Sequence, residues 1–275
     1  MVSTLKGYLV HEKIKDGSIG TVWRATNGAN QVFALKQLSV RHARIGRKLR
    51  GFKREATLTQ KLVHPKIVRV HEYVAMDPQP FFVMEYFQSE NLKFVINETP
   101  AVIRGREFSV LRQIAEGLAF VHSRGVVHRD MKPENVLVNE SGDLRIIDFS
   151  LSQTWFDRLL QFGRRPEGTP LYMAPEQVRG EKCDPRTDIY GFGALAYEIF
   201  AKRPPFLAPS EAKVLEAQLR ETPRAPSAFG RAVSPDVDRF VLSMLSKRRA
   251  DRPQSMVEVL GEISTLEKKL ATAVA

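Results

Sequence analysis

Short runs of apolar and polar residues, bounded by turn residues, fill the first third of the chain. The runs YLVHEKI, GTVWRAT and QVFALKQL have the pattern of strands. The dipeptide Asn27-Gly28 joins the last two and is the strongest short signal for a hairpin. IVRVHEYVA and PFFVMEY have the same character. Together these runs predict a twisted antiparallel sheet of five strands.

One helical segment interrupts the strands, and helical patterns dominate after residue 90. The segment at 48–63 is the helix of the first part. A 3.6-residue apolar period predicts an amphipathic helix from about Arg106 to Ser123. Residues 188–200 are apolar nearly all round, so this helix should be buried on every side. Further helices are predicted over 210–219, 235–246 and 253–270, between Pro-rich loops.

Composition limits the class of protein. Of the 275 residues, 43% are hydrophobic and 27% are charged, as in ordinary globular proteins. No apolar run approaches the roughly 20 residues that span a bilayer, and the amino terminus lacks the apolar stretch of a signal peptide. Cys183 is the only cysteine, so an internal disulfide is impossible. We therefore expect a cytoplasmic protein without a membrane span.

The charge is strongly positive and locally concentrated. The formal net charge of +11 would attract phosphates, acidic proteins or anionic lipid at low salt. The segment RHARIGRKLRGFKR, residues 41–54, holds seven cations and no acid. It is either a solvated helix face or a contact surface for an acidic partner or a second copy of the chain. Phe52 is its one aromatic residue, so a nucleic-acid site is not favoured.

Two carboxylates, a cation and an amide are concentrated in a short part of the sequence. Asp130, Lys132 and Asn135 lie in HRDMKPENVLV, and Asp148 follows 18 residues after Asp130. Phosphoryl transfer needs such a set, because an acceptor hydroxyl must be oriented while Mg²⁺ and cations neutralise the phosphate oxygens. These residues therefore indicate a phosphotransfer site.

With these motifs the sequence resembles the eukaryotic-type (Hanks-type) serine/threonine protein kinases, from about Tyr8 to Ile263. HRDMKPEN is similar to the family's catalytic loop, DFS at 148–150 to its metal-binding turn, APE at 174–176 to the end of its activation segment, and FALK at 33–36 to its third-strand lysine motif. Residues 205–255 are most similar to bacterial members, many of which continue into a membrane helix. Because the sequence ends at Ala275, we expect either a soluble member or a piece of a longer chain.

The resemblance implies an α+β, bilobal protein-kinase fold. The small N-lobe would hold the five-stranded antiparallel sheet and one helix, and the larger C-lobe would be mainly helical. All 275 residues would form one kinase domain. Its expected parts are an N-lobe at about 8–84, a hinge at 85–88, a C-lobe at 89–263 and a helical tail at 264–275.

The resemblance also assigns catalytic and metal-binding roles. Asp130 would accept or orient the proton of the acceptor hydroxyl, and Lys132 would steady the transferring phosphate. Asn135 and Asp148 would hold Mg²⁺, or Mn²⁺ in its place. Thr169, in GTPLYMAPE, is typical of serine/threonine kinases, so the expected acceptor is a protein hydroxyl.

The implied ATP site is assembled from several parts of the chain. Lys36 would grip the α- and β-phosphates and pair with Glu55, although a plain surface salt bridge is the alternative. The loop IKDGSIGTV resembles the family's glycine-rich loop, with Lys15 in place of the first glycine. The residues of this loop expected to bind nucleotide are Ile14, Lys15, Asp16, Gly17, Ser18, Ile19, Gly20 and Val22. Further along the chain, the residues expected to bind nucleotide are Ala34, Lys36, Glu55, Leu137, the rear-pocket residue Met84 and the hinge residues Glu85 and Phe87.

Three residues are candidates for control. Arg129 resembles an arginine that often binds a phosphorylated activation-loop residue, but 164–167 offers no phosphate acceptor. We therefore expect activation without phosphorylation at the usual position, with Glu167 or a partner's acid pairing with Arg129. Ser150 replaces the glycine of the metal-binding turn and would bias the turn between conformations. An apolar stripe in the activation segment either packs on the protein itself or contacts a partner: Trp155, Phe156, Leu159, Leu160 and Phe162.

Two functions of different classes remain at this point. The first is an active, ATP- and Mg²⁺-dependent serine/threonine kinase capable of autophosphorylation. The second is a pseudokinase that acts as a nucleotide-binding scaffold. Pseudokinases typically lose the lysine, the catalytic aspartate or the metal aspartate, whereas Lys36, Asp130 and Asp148 are all present. The sequence therefore favours the active kinase.

Overall fold

The computed structural model describes residues 3–154, 167–229 and 233–274. It divides into two compact units: Met1–Gln88 with Ile147–Ser150, and Ser89–Ile146 with Leu151–Ala275. The turn predicted to bind metal, residues 148–150, therefore groups with the first unit, although it follows much of the second in sequence. The predicted apolar stripe of the activation segment, at 155–162, lies outside the described residues.

The first unit is built on an antiparallel sheet with the strand order β1-β2-β3-β4-β6-β5. The five predicted strands are present, but the sheet has six. The additional edge strand is formed because Lys6 and Gly7 both have positive φ, of 42° and 88°, and turn the chain back on itself. The strands are β1 Ser3–Leu5, β2 Tyr8–Asp16, β3 Gly20–Thr26, β4 Val32–Leu38, β5 Val70–Val74 and β6 Phe81–Glu85.

The predicted hairpin between β3 and β4 is confirmed, but its turn is longer than a two-residue loop. The Asn27 side chain accepts hydrogen bonds from the amides of Ala29 and Gln31, at 3.0 Å each. The positive φ, of 59°, occurs at Asn30 rather than at Gly28. Local side-chain bonding by asparagine therefore shapes the turn.

Two helices follow β4: α1, Val40–Ala43, and α2, Gly46–Lys61. The apolar face of α2 packs on one side of the sheet, where Phe52 and Ala56 join Leu38, Val70 and Phe82 in a buried cluster. A second buried cluster covers the other side of the sheet and includes Leu35, Phe81 and Val83. With both faces covered, the sheet holds its strands in fixed register.

The second unit is mainly helical. Its central helix runs over Pro185–Ala201 and is buried from Thr187 to its end, which confirms the prediction for 188–200. It begins three residues earlier than predicted because Asp184 caps it and Pro185 occupies its first position. Among the residues that the structure describes, the α-helices of this unit are α3 Leu92–Asn97, α4 Glu107–Ser123, α5 Pro175–Val178, α6 Pro185–Ala201, α7 Glu211–Arg220, α8 Pro235–Met244 and α9 Met256–Val274.

Two small sheets accompany these helices. One has the order β10-β9-β7 and the other pairs β11 with β8. Among the helices of 3–154, 167–229 and 233–274, none has both the length and the apolarity of a membrane-spanning segment. The strands are β7 Glu90–Asn91, β8 Val126–Val127, β9 Val136–Val138, β10 Leu144–Ile146 and β11 Gln153–Thr154.

Candidate active site

The loop that carries Asp130 is held by a buried carboxylate on the central helix. Asp188 accepts hydrogen bonds from the backbone amides of His128 (2.8 Å) and Arg129 (2.7 Å) and from the ring of His122 (2.8 Å). Burial alone would raise the pKa of Asp188, but the hydrogen bond and charge of His122 hold it below its usual value. Asp188 therefore stays ionised and fixes the backbone that precedes the candidate base.

Four predicted residues of the second unit form one hydrogen-bonded set around the Asp130 carboxylate. Lys132 Nζ lies 2.7 Å from Asp130 Oδ2, and the Asn135 amide donates to the same oxygen at 3.0 Å. The Thr169 hydroxyl donates to Asp130 Oδ1 at 3.1 Å and accepts from Lys132 Nζ at 2.6 Å. The fold thus brings Asp130, Lys132, Asn135 and Thr169 together from two segments of the chain.

This set leaves Asp130 able to act on a hydroxyl group. A carboxylate oxygen has room for two hydrogen bonds, so Oδ1 can accept from a substrate hydroxyl as well as from Thr169. Lys132 supplies a positive charge 2.7 Å from the carboxylate, where it can also stabilise negative charge on a phosphoryl group. Proton acceptance and charge stabilisation are therefore available side by side.

The first unit contains a second set of charged residues, around Lys36. Its Nζ lies 2.6 Å from Glu55 Oε1 on α2 and 3.6 Å from Asp148 Oδ1. Glu55 is 4% exposed, so the pair is not the surface salt bridge that the sequence left open. Burial alone would lower the pKa of Lys36, but the two carboxylates raise it above its usual value. Lys36 is therefore a stable cation.

The turn predicted to bind metal, residues 148–150, has its unusual backbone at Asp148. Asp148 has a φ of 63°, whereas Ser150 does not have a positive φ. The Ser150 amide donates to Asp148 Oδ1 at 3.3 Å, the kind of local bond that lets aspartate adopt the left-handed region. The serine therefore occupies a position that does not require glycine in this conformation.

The loop predicted at 14–22 is mostly strand, and only residues 17–19 form a tight turn between β2 and β3. The Gly17 amide donates to the carbonyl of Gly20 at 2.8 Å. A Cβ added at Gly20 would lie 2.0 Å from the carbonyl oxygen of Gln37 on β4. The neighbouring strand therefore requires a glycine at this position. Lys15 is exposed, and Asp16 bonds Lys13 and Thr21, at 2.7 and 2.9 Å.

The remaining residues predicted to bind nucleotide divide between the two units. In the first unit Val22 pairs with Lys36 across the sheet and Ala34 with Met84, which places these four on the face that α2 covers. Leu137 belongs to the second unit, in β9. Ser18 and Ile19 lie in the turn before β3, Ile14 is 48% exposed on β2, and Phe87 follows the end of β6. The amide of Glu85 donates to the Arg69 carbonyl at 2.9 Å.

Arg129 and Glu167 are not joined by an ion pair within the described part of the chain. The Arg129 guanidinium donates to the carbonyl of Leu151 at 3.3 Å, and Glu167 is exposed.

Further along the chain, the carboxylate of Glu176 forms a buried ion pair with Arg252 through two hydrogen bonds, of 2.8 and 2.9 Å. This pair joins the APE motif at 174–176 to a residue 76 positions further along the chain.

The residues predicted to hold a metal offer only oxygen ligands. The Asn135 amide nitrogen donates to Asp130, at 2.8 and 3.0 Å, so its side-chain oxygen remains as the ligand. Asp148 contributes a carboxylate and is partly exposed. In the described ranges no cluster of three or more His, Cys, Asp or Glu residues forms a metal site. Amide and carboxylate oxygens suit Mg²⁺, which usually retains waters and phosphate oxygens as its other ligands.

The sequence interpretation missed the role of Asp188. It identified an all-round apolar helix from Asp188 onward but assigned nothing to the acid at its start. The sequence did contain a signal for this role, because Asp188 lies beside Thr187 at the start of a helix that is otherwise apolar and buried. A buried charge must have partners. Its partners are backbone amides 59 and 60 residues away, which no local pattern reveals.

Comparison with known proteins supports the same family. The model described as protein kinase domain matches residues 8–262. The chain is 34% identical over 218 residues to the probable serine/threonine-protein kinase SCO3848 of Streptomyces coelicolor, covering 77% of this chain and 32% of that protein. It is 32% identical over 266 residues to serine/threonine-protein kinase PknL of Mycobacterium tuberculosis, covering 96% and 66%. PknB of Mycolicibacterium smegmatis is 31% identical over 218 residues, covering 77% and 35%.

The chain thus spans from about a third to just under two thirds of the length of these curated relatives. The family match itself extends over nearly all of the sequence, from the second strand to the last helix. The chain belongs to the protein kinase domain family.

Proposed function

We propose that the chain is a serine/threonine protein kinase that transfers the γ-phosphate of ATP to protein Ser and Thr hydroxyls, its own included. The hydrogen-bonded set of Asp130, Lys132, Asn135 and Thr169 carries this proposal. Such a set can orient a hydroxyl and take its proton while a cation stabilises the phosphoryl group. The names of the relatives, serine/threonine-protein kinases, agree with this acceptor.

In this proposal Lys36 binds the α- and β-phosphates and Glu55 fixes its position. The 2.6 Å contact between them supports that role. Asp148 and Asn135 would hold Mg²⁺ or Mn²⁺, whose chemistry when bound is to neutralise the phosphate oxygens. The protein kinase family generally uses ATP with such an ion, and the oxygen ligands of both residues fit it.

A pseudokinase is the second candidate, and it is not favoured. Lys36, Asp130 and Asp148 are all retained, and each lies in a bonded arrangement suited to its proposed role. A scaffold would not need the Asp130 carboxylate held by three donors. We therefore retain catalysis as the proposed function.

The test is transfer of labelled γ-phosphate to the protein itself and to a generic basic protein. Asp130→Asn should lower turnover about a hundred- to ten-thousand-fold, because a positioned general base is lost, while nucleotide affinity is kept. Asp148→Asn serves as the blank. Asp251→Asn, which neutralises a half-exposed carboxylate in the second unit, is the matched control and should turn over like the wild type. Retained turnover in Asp130→Asn would contradict the proposal.

The proposal also covers how the kinase is controlled. The contact of Arg129 with the Leu151 carbonyl supports activation without phosphate at the usual position, with an acid such as Glu167 or one from a partner as its counter-ion. Mass spectrometry that finds an essential phosphate on Thr154 or Thr169 would contradict this.

Besides protein substrates, an acidic partner or a second copy could contact residues 41–54 or the activation segment. The proposed location is the cytoplasm.

A further inference from the structure

An exposed cationic stripe runs along α2. Arg47, Arg50, Lys53 and Arg54 all have exposed side chains. Within the described part of the chain, Arg47, Arg50 and Lys53 form no ion pair and no side-chain hydrogen bond. These four residues, here called the cationic stripe, stand on a helix that has no acid in its first turn. The charges of Arg47, Arg50 and Lys53 therefore face solvent.

The geometry of the helix makes the stripe continuous. At about 100° per residue, these four positions fall within roughly 120° of one face, and from Arg47 to Arg54 they extend about 10 Å. The opposite face holds Phe52, Ala56 and Thr59, all buried. A partner can therefore reach the whole stripe without disturbing the packing of α2 on the sheet.

The stripe is electrostatically unfavourable as it stands. Arg47 and Arg50, and Arg50 and Lys53, are like charges three residues apart, which repel on a helix surface. The helix begins after Ile45, which gives no side-chain cap, and cations in the first turn oppose the helix dipole. An acidic partner would remove both costs, so the stripe is complementary to a row of carboxylates.

We propose that the cationic stripe is the docking site of an acidic protein segment, and that docking strengthens nucleotide binding. Glu55 directly follows the stripe on the same helix, and its carboxylate lies 2.6 Å from Lys36. A partner that stabilises the start of α2 thereby stabilises the element that positions Lys36. The effect on nucleotide rests on the proposed function, whereas docking itself does not.

An acidic protein fits this surface better than a membrane or a nucleic acid. Helices that lie on lipid insert an apolar face, but the apolar face of α2 is used in the core, where Phe52 is 1% exposed. The stripe also presents no aromatic side chain on which bases could stack. Its length of about 10 Å matches three or four residues of an extended acidic segment, at about 3.3 Å per residue, of which every second side chain faces the helix.

The binding test uses a fluorescently labelled twelve-residue peptide rich in glutamate, and the same peptide with glutamine throughout. The stripe variant is Arg47→Glu, Arg50→Glu and Lys53→Glu combined. The matched control, Lys182→Glu, Arg220→Glu and Lys268→Glu, changes the net charge equally at exposed residues elsewhere. Wild type and control should bind the acidic peptide alike, and the stripe variant about tenfold or more weakly, a loss of about 1.4 kcal/mol.

Each other outcome overturns docking. Equal weakening in both triple variants would mean that net charge alone attracts the peptide. Tighter binding of duplex DNA or of phosphatidylserine vesicles than of the peptide would assign the stripe to another partner class. A glutamine triple at the same three positions guards against misfolding and should lose affinity in the same direction.

Coupling to the nucleotide is measured separately, as the affinity for a fluorescent ATP analogue with and without saturating acidic peptide. We expect about a fivefold gain with the peptide, a modest coupling between sites. Glu55→Gln should still bind the peptide but lose this gain. The same gain in Glu55→Gln would overturn the coupling. Because neither readout needs phosphate transfer, an inactive enzyme would leave the result interpretable.

Discussion

At the scale of single residues, the metal-binding turn shows how one substitution can be neutral. A serine in place of glycine is costly only where the backbone is left-handed, by about 1–2 kcal/mol. In this turn the left-handed residue is Asp148, with a φ of 63°, and its carboxylate bonds the Ser150 amide. Ser150 therefore carries no such penalty here, and any bias it exerts acts on other conformations of the turn.

The variant Ser150→Gly tests this interpretation. We expect turnover within about twofold of wild type and a free energy of unfolding lower by about 0.4–1 kcal/mol, because glycine gains freedom in the unfolded chain. Denaturant unfolding and the phosphate-transfer assay measure the two effects. Activity that appears only in the glycine variant would mean that the serine blocks the active turn.

At the scale of elements, α2 combines a well-packed apolar face with unfavourably placed positive charges at its beginning. Arg47 and Lys48 lie in the first turn, where the partial positive charge of the helix end is felt, and Lys61 lies favourably in the last turn. The sequence alone showed the seven cations but not that the helix begins at Gly46. Position relative to the helix ends decides whether each cation stabilises the fold.

Charge reversal at the two ends should therefore have opposite effects. Arg47→Glu should raise the free energy of unfolding, and Lys61→Glu should lower it, each by about 0.3–1 kcal/mol at low salt. Denaturant titrations in low and high salt would measure both changes, and the difference should shrink as salt screens the dipole. Equal destabilisation by both variants would indicate that the start of α2 gains nothing from an acid.

The same elements show what the sequence could and could not predict. The strands and long helices followed from apolar periodicity, and the charged residues of the catalytic loop from their spacing and the family resemblance. The edge strand Ser3–Leu5 was missed because three residues are too few for a periodic pattern. The role of Asp188 was missed because its hydrogen bonds join residues about 60 positions apart. Long-range contacts of this kind depend on the tertiary fold.

At the scale of the whole molecule, the second unit is organised around buried charges as well as apolar packing. Glu176 and Arg252 are 1% and 3% exposed and form two hydrogen bonds, and Thr187 adds a third to Glu176. Burial alone would raise the pKa of Glu176, but the bonds from Arg252 hold it below its usual value. The pair links the end of the activation segment to the start of α6 and to the loop before α9.

Removing one partner of this pair should destabilise the protein. Arg252→Met leaves Glu176 buried and unpaired, which we expect to lower the free energy of unfolding by about 3–5 kcal/mol at neutral pH. The double variant with Glu176→Gln should recover much of this loss, because no buried charge remains. Denaturant unfolding of the wild type and the three variants gives the double-mutant cycle. A small effect of Arg252→Met alone would mean that water or another residue replaces the guanidinium.

The pH dependence of the single variant should then reverse in sign. In the wild type the pKa of Glu176 is lower in the folded state than the unfolded value of about 4.3. The contribution of Glu176 to the free energy of unfolding is therefore constant from pH 7 to 5 and is lost only below that range. Without Arg252, burial raises the pKa of Glu176 in the folded state above its value in the unfolded chain. As the pH falls, Glu176 therefore becomes protonated in the folded state before it does in the unfolded state. Arg252→Met should therefore recover stability relative to wild type as the pH falls from 7 to 5. A difference between the two that stays constant over this range would show that Glu176 is not left charged and buried.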